Sequence, residues 1–320
     1  MHKIHLYTCA AIVVATAAPQ SAPACACGCG VFDVGTSAML PTSAGGMAFL
    51  DYFYQDQNRN WSGNSRAPAA NNSDQEIRTT FITPTLQYFF NRSWGIEAEI
   101  PVVNRDFKTI GGASGHDIVN LNWWALGDIK LNALYTGFSP DMSSGLSFGV
   151  KLPTGGFHHN DPFGDIDRDT EIGSGSTDVL LGGFHRGYLP GDLGVVWFAQ
   201  AQLDVPVFTQ EQYRPGLEVD AAAGLYYNRL HIGRLKISPI AQVIGSYRAS
   251  DSGANAAGGA NDDPGDIASG YQRVLLSPGI ELDLHPWRFY ADAEFPVYQQ
   301  VTGNQLIANQ LFKVSVSYMF

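Results

Sequence analysis

The stretch Phe312-Lys313-Val314-Ser315-Val316-Ser317-Tyr318-Met319-Phe320 ends the chain on an unbroken two-residue period. Phe312, Val314, Val316, Tyr318 and Phe320 fall on one face, and Lys313, Ser315, Ser317 and Met319 on the other. Side chains alternate across a β-strand, so the segment reads as a strand with one oily and one wet surface.

Upstream segments repeat the pattern. Val274, Leu276, Ile280, Leu282 and Leu284 oppose Ser277, Glu281, Asp283 and His285. Phe289, Ala291, Ala293, Phe295 and Val297 oppose Tyr290, Asp292, Glu294 and Pro296. Trp197, Ala199, Ala201, Leu203 and Val205 oppose Gln200, Gln202 and Asp204. Carboxylates always land on the second face. A soluble sandwich would turn the oily face inward, whereas a membrane barrel turns it toward lipid and encloses the charges; alternation alone does not separate the two.

Connection lengths do. Short turns are expected near Asn91–Ser93, Pro140–Ser144, Pro190–Asp192, His231–Arg234 and His285–Trp287. Long connections are expected near Ser62–Gln75, Ile110–Trp124, His158–Gly175, Phe208–Gly216 and Ser250–Gly270, with a shorter one at Thr302–Gln305. Alternating short and long links predict an all-β fold, a transmembrane antiparallel up-and-down β-barrel of about twelve strands. Trp94, Tyr188, Trp287, Tyr318 and Phe320 lie near the short turns, where an aromatic girdle belongs. The terminal Phe resembles the signal by which bacterial outer-membrane barrels are recognised by their assembly machinery.

The N-terminus agrees with export. Lys3 precedes the small, apolar run Ala10–Ala18, and Ala22-Pro23-Ala24 fits signal peptidase, so residues 1–24 read as a signal peptide. A cut after Ala26, or lipidation of Cys25, are the alternatives. Residues 25–44 then form a Cys-containing periplasmic segment and 45–320 the barrel, in the bacterial outer membrane. Removing 1–24 deletes Lys3 and no acid, leaving 18 basic residues of the original 19 against 30 acidic. That balance argues against a nucleic-acid partner. Lipid and lipopolysaccharide, the latter through divalent ions bridging the acidic loops, are the expected surroundings.

Lumen-facing candidates are Glu97, Glu99, Lys151, Asp204, Glu281, Asp283, Asp292 and Glu294. Four stand beside prolines: Glu99-Ile-Pro101, Lys151-Leu-Pro153, Asp204-Val-Pro206 and Glu294-Phe-Pro296. Proline removes a ladder donor, so bulges or bends are expected there. Mutual ion pairing inside a filled barrel accounts for such charges more simply than a selectivity filter does.

Lys151-Leu-Pro-Thr-Gly155, a loop, and Gly173-Ser-Gly-Ser-Thr-Asp178-Val-Leu-Leu-Gly182 are similar to the outer-membrane transporter family associated with the meta-pathway of phenol degradation. The resemblance implies a barrel passing small or aromatic compounds. On residues alone, an acidic lumen and mouth favour small cationic or neutral solutes.

Two segments suggest metals. Cys25, Cys27 and Cys29 are the last cysteines of the chain, and clustered thiolates suit Cu or Zn, a disulfide, or a periplasmic redox or metal partner. A barrel serving that cluster is the alternative function. Asp165, Asp167, Asp169 and Glu171 alternate within the third long loop, a spacing that would suit Ca²⁺ although it lacks EF-hand features; a solvated acidic loop is the simpler expectation. No Gly-x-Ser-x-Gly elbow occurs, and His185 has no serine assigned to it by sequence, so no enzyme is expected.

Overall fold

The computed structural model describes residues 40–41, 43–69, 72–111, 117–162, 164–191, 193–254 and 268–320. The signal peptide and the cysteine cluster lie outside them.

Antiparallel pairing carries the sheet around a ring. Gly45–Gly63 pairs with Asp74–Phe89, which pairs with Trp94–Glu99 and Val102–Gly111 in succession. Those two pieces are one crossing, interrupted at Ile100-Pro101, and they pair with Ile129–Tyr135 and Asp117–Leu126. The order continues through Ser144–Leu152, Ser176–Tyr188, Val195–Thr209, Glu218–Tyr227, Leu235–Arg248 and Tyr271–Leu284. The last run, Trp287–Met319, bends back at Gly303 (φ 67°), a conformation that glycine adopts without penalty. Its first leg pairs with Tyr271–Leu284 and its second with Gly45–Gly63, which closes the barrel. Counted as two legs, it brings the eleven described runs to twelve crossings.

Side chains sort as the alternation requires. Leu50, Tyr52, Leu86, Tyr88, Phe148 and Leu276 are exposed on the outer wall, while Asp51, Thr83, Gln87, Asp178, Ser277 and Lys313 are buried within. Leu86 is 53% exposed and its neighbour on the wall, Thr85, only 7%. In water this arrangement would leave a broad apolar exterior solvated; against acyl chains it is the stable one, and the fold is a transmembrane barrel. Trp94 packs on Tyr135 and Trp287 on Tyr318 at the short-turn end.

Of the four prolines, Pro206 and Pro296 produce the expected irregularities, Pro101 interrupts its crossing, and Pro153 follows the end of Ser144–Leu152 without a register shift. Register slips opposite Pro206, between Thr177 and Asp178, and opposite Pro296, between Val274 and Leu275. One expected loop is not a loop. Asp117–Leu126 pairs with Val102–Gly111 in full register, so Ile110–Trp124 contributes a tall hairpin. Within the expected connection, Leu121, Trp123 and Trp124 pair across the strands with Phe107, Arg105 and Asn104.

Candidate functional site

All eight predicted lumen residues point inward, but they gather in separate clusters. Lys151 lies between Asp178 and Asp204, 2.6 Å from the latter. Glu99 pairs with Lys130 at 3.3 Å, and Glu97 accepts from Gln87 Nε2 at 2.7 Å and Asn132 Nδ2 at 3.2 Å. Toward the short turns, Arg288 sits beside Glu281 and Asp283. Asp292 accepts from Ser277 Oγ, Tyr290 Oη and Gln242 Nε2 at 2.6, 2.7 and 3.0 Å. Glu294 is buried one step further along the same strand.

The third long connection, between Ser144–Leu152 and Ser176–Tyr188, corrects an expectation. Its acidic stretch is not solvated: Ile166, Arg168, Asp169, Thr170 and Glu171 are buried, because the segment folds into the barrel. Ile172 packs against a lumen cluster that includes Phe53, Phe81, Val103 and Leu311. Arg105, on the wall, donates to the Glu171 carbonyl at 3.2 Å and to Thr79 Oγ1 at 2.8 Å.

A neck holds both ends of this segment. Asp128 accepts from Gly155 N at 2.9 Å through one oxygen, and from Ser174 N and Oγ at 2.8 and 2.6 Å through the other. Gly155 and Gly173 meet backbone to backbone; a Cβ on Gly155 would stand 2.6 Å from the Gly173 Cα. Gly155 and Gly173 of the two motif stretches are therefore there for close approach, and Lys151 and Asp178 of the same stretches form an ion pair. Arg168 lies 4.0 Å over the Phe157 ring and 5.0 Å over Tyr213, and bonds Glu211 at 3.0 Å. Asp169 is pushed up to about 7, first by burial and then by the neighbouring Asp251, against the opposing pull of Arg248.

The alternating carboxylates turn to different partners. Asp167 lies near Asp74, Asp169 near Asp251, and Glu171 accepts from His159 N at 2.6 Å; the Asp165 side chain is outside the described residues. Among the described residues no group of three or more His, Cys, Asp or Glu side chains is gathered to hold a metal ion.

Between the inserted segment and the wall is a cavity of about 150 Å³. Lys130, Lys151 and Arg105 line it with Glu99, Asp204 and Glu218, beside apolar Phe81, Val103 and Ile172. The surface is charged in both signs and only partly apolar, so it can hold water and a small polar solute at once.

The chain shares its fold with solved outer-membrane barrels. A crystal structure of an outer membrane channel from Pseudomonas putida F1 superposes with a TM-score of 0.58 at 12% identity, covering 91% of this chain and 100% of that one. The β domain of the Bordetella autotransporter BrkA superposes with a TM-score of 0.50, also at 12% identity, covering 87% and 100%. No family model and no curated protein matches the sequence.

Several site residues escape sequence reading. Asp128, Arg105, Arg168 and Asp251 carry no periodic signal, since two lie outside the crossings and the other two find their partners through the inserted segment. Asp178, which contacts Lys151, could have been found from the same-face parity of Ser176, Asp178 and Leu180. A serine does reach His185: Ser144 Oγ lies 2.6 Å from Nδ1 on the outer wall, with Trp197 edge-on to the ring. The two residues are direct cross-strand partners near the short turns, where a hydrogen bond satisfies polar groups at headgroup level. At the same end Leu40 enters the barrel and packs with Phe198, Ile240 and Tyr290, while Arg186 donates to the Pro41 carbonyl at 2.8 Å.

Proposed function

We propose that this chain is a passive channel of the bacterial outer membrane for small solutes. The observation that carries the reading is the enclosed, polar and ion-paired interior, with a cavity bounded by the inserted segment, inside an apolar outer wall. Burying this many carboxylates is costly unless water or partners reach them, and a water-containing conduit supplies both. Signal-peptide cleavage after Ala24, insertion by the barrel assembly machinery and contact with lipopolysaccharide follow from that location.

The acidic preference expected from sequence is moderated by pairing. Glu99, Asp178, Asp204, Glu281 and Asp283 each stand beside Lys or Arg, so the lumen discriminates by local dipoles more than by net charge. Aromatic solutes, implied by the resemblance to the phenol-pathway transporters, find Phe81 and Tyr213 at the cavity wall. Cys25, Cys27 and Cys29, expected to serve a metal or redox role, lie outside the described part of the chain.

The test is conductance of the refolded, heat-modifiable barrel in planar bilayers. Discrete steps that enlarge when the inserted segment is shortened are expected. A correctly folded barrel that never conducts, with or without the segment, would overturn the proposal.

A further inference from the structure

The register places charges of like sign side by side in two places along one level of the wall. Glu99, Lys130, Lys151 and Asp178 are consecutive cross-strand partners over four crossings. Asp204, Glu218, Arg248 and Tyr271 are consecutive partners over the next four. Lys151 Nζ bridges the two series through Asp178 and Asp204. Within this belt Lys130 faces Lys151 directly, and Asp204 faces Glu218 directly.

Like charges opposite each other destabilise a sheet. Flanking groups relieve the strain, Glu99 beside Lys130, Asp178 beside Lys151, and the Tyr271 hydroxyl donating to Glu218 at 2.7 Å. A purely structural belt would remove it by alternating sign. Retaining two like-charged pairs leaves Lys130 on one side of the Lys151–Asp204 ion pair and Glu218 on the other. All four residues line the same cavity of about 150 Å³, with Phe81, Val103 and Ile172 beside them.

We propose that the belt is a binding site for a small zwitterion, its carboxylate directed at Lys130, its ammonium at Glu218, and a short apolar group against Ile172. The site rests on the channel reading and deepens it by naming a solute class. A singly charged solute meets attraction on one side and repulsion on the other, whereas a dipolar one is matched at both ends. The cavity has room for a molecule of roughly benzene's size, which includes the smallest α-amino acids.

Four solutes of similar size separate the possibilities: alanine as zwitterion, lactate as anion, alaninol as cation and lactamide as uncharged control. Calorimetric titration of the folded barrel in detergent micelles is expected to show saturable alanine binding, roughly tenfold tighter than lactate or alaninol. Lys130→Met and Glu218→Gln are each expected to weaken it by a similar factor, and the heat-modified gel shift confirms that each variant folds. Lactate or alaninol binding as tightly as alanine, or alanine binding that survives both substitutions, would overturn the proposal. Lactamide entry into proteoliposomes checks the channel reading separately: a barrel that binds alanine but admits no lactamide keeps the belt site and loses the conduit.

Discussion

The barrel wall and the inserted segment are built on opposite plans. The wall repeats one rule, oily side chain out and polar side chain in, for residue after residue, and its hydrogen bonds run to adjacent strands. The segment between Leu152 and Ser176 has one short pairing, of Asn160–Asp161 with Gly164–Asp165, and is held by a few contacts to distant parts of the chain. A wall position is supported by its neighbours whatever its identity, within the limits of polarity. A segment position depends on one particular partner, so single changes there should alter permeation with little effect on the barrel.

The largest effect is expected where the wall itself carries a buried charge. Lys151→Met leaves Asp178 and Asp204 together without their cation, a loss of about 3 to 5 kcal/mol. Urea unfolding in detergent micelles measures it, and adding Asp178→Asn should restore part of the loss. An unchanged midpoint for the single variant would mean that water, and not Lys151, balances those carboxylates.

Leu131→Arg places a charge on the outer face of the wall, where Leu131 is 42% exposed. Near mid-bilayer this should cost about 2 to 4 kcal/mol, read from the same unfolding curves. The substitution on the adjacent, inward position, Asn132→Arg, should cost less if the face assignment is right.

The neck comes next. Gly173→Ala puts a Cβ against the Gly155 backbone, and crowding of this kind costs about 1 to 3 kcal/mol. Here the loss should fall on the segment: faster proteolysis between Gly156 and Ile172, larger conductance steps, and an almost unaltered barrel midpoint. Asp128→Ala, which removes the acceptor for both ends, should do the same.

The smallest effect on the barrel, and the sharpest on the segment, is the response to pH. With the segment inserted, Asp169 keeps its proton up to about pH 7, against an ordinary value of 3.8 when it is free. The inserted state therefore binds more protons between those values, so insertion is strongest below 3.8, weakens as pH rises toward 7, and changes no further above it. Asp251, Arg248 and Tyr213 are the charged or titratable groups that set this value or surround it. Conductance should rise from pH 4.5 to pH 7 in the native chain and stay flat across that interval in Asp169→Asn; a flat native profile would detach Asp169 from control of the segment.

The contrast also explains what was readable in advance. Strands such as Phe312–Phe320 announce their two faces by residue type, so fold, inward charges and the bends at Pro206 and Pro296 were legible. The acidic run Asp165–Glu171 has a similar alternation, yet Ile166 and Arg168–Glu171 fold inward and away from solvent, where Arg105 and Arg248 reach them from crossings far away in the chain. The connection expected at Ile110–Trp124 is paired strand from Asp117 onward.

Alternation, together with the short and long rhythm of the connections, determined a barrel that is oily outside and polar inside, because a strand's period of two is a local property and lipid rewards it at every residue. Only the tertiary structure decided that the third long connection turns into the lumen, that Asp128 clasps its ends, and that Lys130, Lys151, Asp204 and Glu218 line one cavity. Those outcomes depend on strand register and on contacts between residues distant in sequence, and no local pattern encodes either.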